Sequence, residues 1–171
     1  MRDLVLFDFG IHWFDIVSCF LREREPRRVF ATRGRASGQM NKAPMLAQAL
    51  IEYDDAQASI TLDAATMRGA RDSTVVVGTK GTLRSEGPDL NHQAVTLYTE
   101  EGVARPVLEG EWFKNGFKGT MAELLCAVEQ EREPYNSGRD NLRGLALCFA
   151  AMKSAETGEA VVPGQARLSG A

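Results

Sequence analysis

This sequence contains three successive pairs of segments in which apolar and polar residues alternate. Within each pair, a short turn joins the two segments. The pairs cover residues 45–67, 73–85 and 93–108. In the second arm of the first pair, Ala58, Ile60 and Leu62 alternate with polar residues, as in a strand that buries one face. Short turns join antiparallel strands, whereas parallel strands need a long crossover. The pattern therefore predicts an α+β fold with a mainly antiparallel, open β-sheet of about six strands.

Three further segments have the spacing of helices. Residues 10–21 are apolar on nearly every face, which indicates a buried helix. The two later helices have one apolar stripe each: Phe117, Met121, Leu124, Leu125 and Val128 in the first, and Leu142, Leu145, Phe149 and Met152 in the second. Ser137 and Gly158 are typical start and stop residues for the last helix. We expect all three helices to pack on one face of the sheet, and a homodimer or tetramer to form through the other, open face.

The sequence contains no pattern of a dinucleotide-binding domain. The nearest glycine pair, Gly78 and Gly81, lies between two predicted strands and is not followed by a helix whose N-terminus could bind pyrophosphate. The order of elements also lacks the βαβ repeat of such a domain. We therefore expect residues 1–171 to form a single α+β domain, without a Rossmann domain and without cofactor-binding residues of its own.

Charge and cysteine content argue against several classes of function. Twenty Lys and Arg stand against 23 Asp and Glu, for a net charge of −3, so the basic excess typical of nucleic-acid binding is missing. The three cysteines, Cys19, Cys126 and Cys148, lie far apart in apolar stretches and form no Cys-x-x-Cys pair. This pattern predicts buried, reduced thiols in a cytoplasmic protein, and no metal site.

The apolar run over residues 4–21 approaches the length of a membrane span, but it carries Asp8, His12 and Asp15. Two carboxylates and an imidazole near the centre of a lone span would be very costly, so we expect a buried element of a soluble fold and no membrane partner. Polar groups in such an element need hydrogen-bonding partners or a functional use.

His12 is the candidate for chemistry, because Asp8 lies four residues before it and Asp15 three residues after it. On a helix both carboxylates would share the imidazole's face, although Asp8 could instead cap the helix N-terminus. A carboxylate beside an imidazole fixes its tautomer and supports its charged form, which a general base requires. Taken alone, however, this spacing is more typical of a buried histidine held by a capping carboxylate. His92, after a Gly-Pro turn, is expected in an exposed loop.

Four segments resemble, in this order, the C-terminal domain of the Gfo/Idh/MocA family, named for glucose–fructose oxidoreductase, inositol dehydrogenase and MocA. They are DFGIHWFDIVSCFL (residues 8–21), IEYDDAQASITLD (51–63), VVVGTKGTLRS (75–85) and the long C-terminal stretch over residues 116–164. The resemblance extends over nearly the whole chain.

The resemblance implies a dihydrodipicolinate-reductase-like domain that binds a sugar, cyclitol or related polyol and forms oligomers. In the complete family enzyme, a Rossmann domain binds NAD or NADP and supplies a catalytic Lys from a Glu-Lys-Pro motif that this sequence lacks. By motif position, His12 is the proton acceptor and Asp8 its carboxylate neighbour. Asp15 matches a position that is structural or contacts substrate, and it is predicted here as a substrate-binding residue. The Rossmann domain would be supplied in cis or in trans, and we expect this chain to be inactive alone.

Two other functions remain compatible with the sequence. One is a non-catalytic oligomerisation scaffold, in which Asp8 and His12 are a buried, satisfied pair. The other is a cofactor-free lyase or isomerase, in which the same pair abstracts a proton. Turnover without a nicotinamide cofactor would distinguish the second.

Overall fold

Within the described residues, the three predicted hairpins and the three predicted helices are present, and one further strand precedes the hairpins. The computed structural model describes residues 3–166 of the chain. The strands are β1 (Arg28–Gly34), β2 (Leu46–Glu52), β3 (Gln57–Asp63), β4 (Asp72–Gly78), β5 (Gly81–Gly87), β6 (Ala94–Thr99) and β7 (Gly102–Ala104). The helices are α1 (Gly10–Phe20), α2 (Trp112–Glu129) and α3 (Gly138–Thr157), and a π-helical turn, Val5–Phe9, precedes α1. All strand pairs are antiparallel, which confirms the predicted α+β fold class.

The strands are divided between two sheets, where the sequence led us to expect one. One sheet has the order β1-β2-β3 and the other the order β4-β5-β6-β7. The chain likewise divides into two compact units: unit 1 comprises residues 3–65 and 137–166, and unit 2 comprises residues 66–136. Alternation determines which neighbouring segments form a hairpin, but it does not determine which hairpins share a sheet. That residues 1–171 act as one substrate-binding and oligomerisation domain stays a prediction.

Unit 1 is built around one face of its three-stranded sheet. Helices α1 and α3 pack against each other, and both pack against the sheet. The fully buried side chains include Phe14 of α1, Ile51 of β2 and Leu147 of α3. On the other face of the sheet, Phe30 of β1 and Leu50 of β2 lie directly opposite each other and are exposed. The predicted arrangement, with helices on one face and the other face open, is therefore present in unit 1.

The outer edge of β1 is protected by the end of the chain. Val29 exchanges two backbone hydrogen bonds with Val161, at 2.8 and 2.9 Å. The next outward-facing N–H, that of Ala31, donates to the buried Ser154 Oγ at 2.9 Å. A buried N–H at a sheet edge without a hydrogen-bonding partner would reduce stability. The bond from Ala31 therefore explains why the Ser154 hydroxyl is tolerated at a fully buried position of α3.

The ends of α3 agree with the sequence signals. Ser137 is the N-cap, and its Oγ accepts from the Asp140 N–H at 3.2 Å. Gly158 ends the helix in the left-handed conformation, with φ of 75°. Both features confirm the predicted start and stop of this helix.

Helix α2 of unit 2 corrects the prediction that all three helices pack on one face of a sheet. It begins at Trp112, before the apolar stripe, and the Asn115 side chain accepts from the Glu111 N–H at 2.7 Å. Its stripe, expected in the core, is exposed, with 69% of Phe117 and of Val128 accessible. Ala127 is the one buried residue of unit 2, and no strand residue of this unit is buried. Periodicity identifies side chains that share a helix face, but burial also requires an apolar surface to cover that face.

Within residues 3–166, no helix has the length and apolar character that crossing a bilayer requires. The apolar N-terminal segment is instead split between the π-helical turn and the 11-residue helix α1.

Candidate functional site

The predicted site residues lie on the N-terminal helical segment of unit 1. Asp8 is in the π-helical turn, and His12 and Asp15 are in α1. The turn is defined by the Gly10 N–H, which donates to the carbonyl oxygen of Val5, five residues earlier. Single π-helical turns within helices occur frequently at functional sites. No feature of the sequence indicated this turn.

Two contacts fix the start of α1 against the core. A Cβ atom added at Gly10 would lie 3.1 Å from Leu62 Cδ1 and 3.1 Å from the Val5 carbonyl oxygen, so glycine allows the helix to approach β3 closely. One turn later, Phe14 is completely buried. The residues on the outer side of α1, including His12, are therefore held on a rigid element.

His12 and Asp8 are both exposed to solvent. Within the described part of the chain, no hydrogen bond joins their side chains, and the N-cap of α1 is Phe9, without a side-chain capping bond. The suggestion that Asp8 caps this helix is therefore wrong. The idea of a buried, satisfied Asp8–His12 pair is also wrong, because neither side chain is buried.

Aromatic side chains flank the imidazole. The His12 ring lies edge-on to Trp13, with 6.4 Å between ring centroids, and Phe9 stacks on the same Trp13 at 5.0 Å. Phe9 is about half exposed. The outer surface of α1 thus offers a titratable ring beside a partly exposed apolar surface.

Of the three predicted site residues, Asp15 is the one that is partly buried and held by α3. Its Oδ1 accepts a hydrogen bond from Asn141 Nδ2 of α3 at 3.1 Å. Burial raises the pKa of Asp15, and the charge of Asp140 raises it further. The hydrogen bond from Asn141 and the charge interaction with His12 oppose this rise in pKa. Sequence spacing placed both carboxylates near His12, and Asp15 is the one whose described interactions include it.

Asp15 is surrounded by polar and charged residues that were not predicted from the sequence as part of the site. An open depression of about 190 Å³ is lined by Asp15, Ser18, Cys19, Arg22, Asp140 and Arg143. Arg22 pairs with Asp140 at 2.6 Å, and Arg143 donates to the Arg24 carbonyl oxygen at 2.8 Å. This depression is open to solvent and encloses no cavity, so it does not surround a polyol by itself.

The cysteines only partly match the expectation of buried thiols. Cys148 is buried, and burial raises its pKa to about 12. Cys126 and Cys19 are exposed. Partial burial, followed by the charge of Asp15, raises the pKa of Cys19, so this thiol is not activated as a nucleophile.

His92 lies between β5 and β6 of unit 2 and is paired locally. Its Nδ1 is 2.9 Å from Asp89 Oδ1. The hydrogen bond from His92 lowers the pKa of Asp89, and two backbone N–H groups, of Asn91 and His92, donate to the same carboxylate. This exposed loop agrees with the prediction for His92.

The glycine pair of the sequence does not form a phosphate-binding turn in the described part of the chain. Gly78 and Gly81 form the turn between β4 and β5, and a Cβ atom at Gly81 would overlap the Tyr98 carbonyl oxygen. This glycine therefore serves close strand packing, and no helix N-terminus follows it to bind phosphate. Residues 3–166 also contain no group of three or more His, Cys, Asp or Glu side chains placed to hold a metal ion.

Comparison with known proteins finds similarity to one family of C-terminal domains over just under half of the chain. Residues 3–84 match the GFO/IDH/MocA C-terminal domain. Inositol 2-dehydrogenase from Rhizobium meliloti (strain 1021) is 27% identical over 154 residues, which are 86% of this chain and 46% of that protein. The chain therefore spans about half the length of this curated relative.

Solved structures share the fold over almost the whole chain. An oxidoreductase from Agrobacterium radiobacter, in complex with NAD+, L-tartaric acid and magnesium, matches with a TM-score of 0.78 and 21% identity, over 95% of this chain and 50% of that one. Aldose-aldose oxidoreductase from Caulobacter crescentus, complexed with glycerol, matches with a TM-score of 0.71 and 22% identity, over 92% of this chain and 47% of that one. The chain is therefore similar in sequence, over residues 3–84, and in fold, over most of its length, to the C-terminal part of such oxidoreductases.

Proposed function

We propose that this chain provides the substrate side of an NAD(P)-dependent oxidoreductase that acts on a sugar, a cyclitol or a related polyol. The observation that carries the proposal is the exposed imidazole of His12, held on a rigid helix directly after a π-helical turn. The similarity to inositol 2-dehydrogenase and to aldose-aldose oxidoreductase supports the substrate class.

His12 is proposed as the proton acceptor. Oxidation of a secondary alcohol to a ketone removes a hydride from carbon and a proton from the hydroxyl group. The hydride passes to NAD or NADP, and the proton passes to the imidazole. Histidine suits this role because its side chain ordinarily titrates near neutral pH, so that it can take up and release a proton under physiological conditions.

Asp15 and Asp8 are proposed to support His12 in different ways. Asp15 is anchored by Asn141 and interacts electrostatically with His12, so it can stabilise the imidazolium that forms when the proton arrives. Asp8 is exposed one turn earlier, where it is available to a substrate hydroxyl or to the imidazole. Replacing each by Asn distinguishes these roles. Loss of Asp15 should mainly lower kcat, and loss of a substrate contact at Asp8 should mainly raise KM.

The nucleotide is proposed to come from a Rossmann domain, joined in cis or bound in trans. The described residues of this chain offer it no phosphate-binding turn, and the depression beside Asp15 is open rather than closed. A substrate bound beside His12 would therefore lie between this chain and the nicotinamide-bearing domain. The complex of the Agrobacterium radiobacter oxidoreductase with NAD+ supports this cofactor class.

We also propose that copies of this chain associate through the open sheet face of unit 1. Phe30 and Leu50 are exposed cross-strand neighbours on that face. An exposed apolar pair in the middle of a sheet face is typical of an interface. Leu50→Glu should lower the mass measured by light scattering, whereas Met40→Glu, in an exposed loop, should leave it unchanged.

The activity proposal is tested with this chain joined to a Rossmann domain of the family. We expect reduction of NAD+ or NADP+ in the presence of myo-inositol or an aldose, and no turnover by the chain alone. Turnover of a polyol without nucleotide would instead indicate a lyase or isomerase. No reduction of either nucleotide with any polyol, by a folded protein that binds the nucleotide, would contradict the proposal.

A further inference from the structure

The π-helical turn deprives the Leu6 carbonyl group of the donor that a regular helix would give it. In an α-helix, each N–H donates to the carbonyl oxygen four residues earlier, so Gly10 would donate to Leu6. In this structure the Gly10 N–H donates instead to the carbonyl oxygen of Val5. Leu6 is only 2% exposed, so solvent water is not a substitute donor. A buried carbonyl group that lacks a hydrogen bond would reduce stability.

A thiol of another helix donates to this carbonyl group. Cys148 of α3 is completely buried, and its Sγ donates to the Leu6 carbonyl oxygen at 3.2 Å. Burial raises the pKa of Cys148 to about 12, so the thiol keeps its proton and remains a donor at neutral pH. The bond therefore ties the π-helical turn, near the start of the chain, to α3, near its end.

An aromatic contact holds the turn on α3 at the same place. The rings of Phe7 and Phe149 stack, with 6.1 Å between their centroids and 5° between their planes. Phe7 follows Leu6 in the turn, and Phe149 follows Cys148 in α3. One polar and one apolar contact therefore hold two consecutive residues of the turn, directly before Asp8.

We propose that Cys148 is a positioning residue for the candidate site, because its thiol holds the π-helical turn that sets Asp8 relative to His12. The inference rests on the proposed function of His12. A π-helical turn holds more residues than the 3.6 of an α-helical turn. Relaxation to a regular α-helix would therefore rotate the residues before Gly10 about the helix axis relative to those after it. The rotation would move the Asp8 carboxylate with respect to the imidazole, without removing either group.

Two substitutions separate the hydrogen bond from the packing of the sulfur atom. Cys148→Ala removes the donor, whereas Cys148→Ser keeps a hydroxyl donor and differs from the alanine variant by one oxygen atom. The matched control is Ser154→Ala, also in α3, which removes another buried side-chain hydrogen bond, the one from the Ala31 N–H of β1. This control should lower stability without affecting the turn. Circular dichroism checks that every variant is folded.

The first test measures no activity and uses the chain itself. It records the imidazole Cε1–H resonances by NMR at one fixed pH, since the chain has two histidines, His12 beside the turn and His92 in unit 2. We expect Cys148→Ala to shift the His12 resonance and leave that of His92 in place. Cys148→Ser should lie closer to the unsubstituted protein, and Ser154→Ala should shift neither resonance. An unshifted His12 resonance in Cys148→Ala, or equal shifts in the alanine and serine variants, overturns the inference.

The second test measures turnover in the chain joined to a Rossmann domain. Because a displacement of about 1 Å at a reacting group can cost roughly 10²-fold in rate, Cys148→Ala should lower kcat by about tenfold to hundredfold. Cys148→Ser should recover most of this loss, and Ser154→Ala should keep the full kcat. Full turnover by Cys148→Ala in an otherwise active enzyme overturns the positioning role. If the unsubstituted protein reduces no nucleotide with any polyol, the proposed function fails, and the resonance test alone decides whether Cys148 holds the turn.

Discussion

Units 1 and 2 use the same kinds of sequence signal but reach different degrees of burial. Each has an antiparallel sheet and at least one amphipathic helix. In unit 1 the helices α1 and α3 cover one face of the sheet and bury Phe14 completely. In unit 2 the only buried residue is Ala127, and the stripe of α2 is exposed. The comparison shows that hairpin and helix signals specify elements, whereas a core requires that two apolar surfaces meet.

The two units also differ in how the chain forms them. Unit 1 joins residues from both ends of the chain, so α1 is fixed by long-range packing against β3 and α3. A rigid helix of this kind can hold a catalytic side chain in place. Unit 2 is formed from one continuous segment, residues 66–136, and the apolar stripe of its helix α2 is exposed.

The largest difference in stability is expected between two phenylalanines. Phe14→Ala removes a fully buried ring from unit 1 and should lower the free energy of unfolding by about 3–5 kcal/mol. Phe113→Ala, in exposed α2, should change the stability of the monomer by less than about 0.5 kcal/mol. The chain has two tryptophans, Trp13 in unit 1 and Trp112 in unit 2, so single-tryptophan variants report on each unit in urea titrations. Equal effects of the two substitutions would contradict the comparison.

Substituting alanine for two helical glycines should change stability in opposite directions. A Cβ atom at Gly144 of α3 would lie 2.9 Å from the Asp15 Cα atom, so Gly144→Ala should push α1 and α3 apart and cost about 1–3 kcal/mol. Gly119 of α2 has open space around it, and Gly119→Ala should stabilise the helix by up to about 1 kcal/mol. Thermal unfolding followed by circular dichroism measures both. A neutral Gly144→Ala would show that the helices are not in close contact.

The smallest expected effects are on the pH dependence of stability, which should have opposite signs for Asp15 and Glu123. Asp15 has a pKa raised by burial, so its contribution favours folding at low pH and is lost as the pH rises through that pKa. Asp15→Asn should therefore stabilise unit 1 by less than about 1 kcal/mol at pH 7 and have no effect at pH 3. Urea titrations of the Trp112→Phe protein at the two pH values measure this, and a loss of stability at pH 7 would contradict it.

Glu123 of unit 2 has a pKa shifted in the direction opposite to that of Asp15. Hydrogen bonds from Arg132 and from the Tyr135 N–H lower the pKa of Glu123 to about 2. Its contribution is present above the ordinary pKa of 4.5 and is lost as the pH falls through about 2. Glu123→Gln should therefore destabilise unit 2 at pH 7, and the difference from the unsubstituted protein should shrink between pH 5 and pH 2. A difference that is constant with pH would show that the carboxylate charge is not responsible.

Local features of the fold were predictable because they depend on neighbouring residues. The alternation of Ala58, Ile60 and Leu62, the Ser137 cap and the Gly158 stop all appear as expected. The division into two sheets was not predictable, because pairing between distant hairpins leaves no local pattern. The exposure of the α2 stripe was missed for a related reason, since periodicity does not identify the covering surface.

The candidate functional site was also only partly predictable from the sequence. The spacing of Asp8, His12 and Asp15 predicted that the three residues lie near one another, and the structure places all three on the N-terminal helical segment. The π-helical turn, which replaces ordinary helical geometry at Asp8, has no sequence signature. The contribution of Asn141 could not be predicted either, because it depends on how α1 and α3 pack.

The central claim, that His12 of unit 1 is the catalytic base, is tested most directly with the two histidines. Both variants are measured in the chain joined to a Rossmann domain, with polyol-dependent NAD(P)+ reduction as the readout. His12→Ala should lower kcat by ~10²–10⁴ and leave nucleotide affinity unchanged, because a general base contributes that factor. His92→Ala, in unit 2, should leave kcat unchanged. A folded His12→Ala enzyme with full turnover, or an equal loss in His92→Ala, would contradict the account.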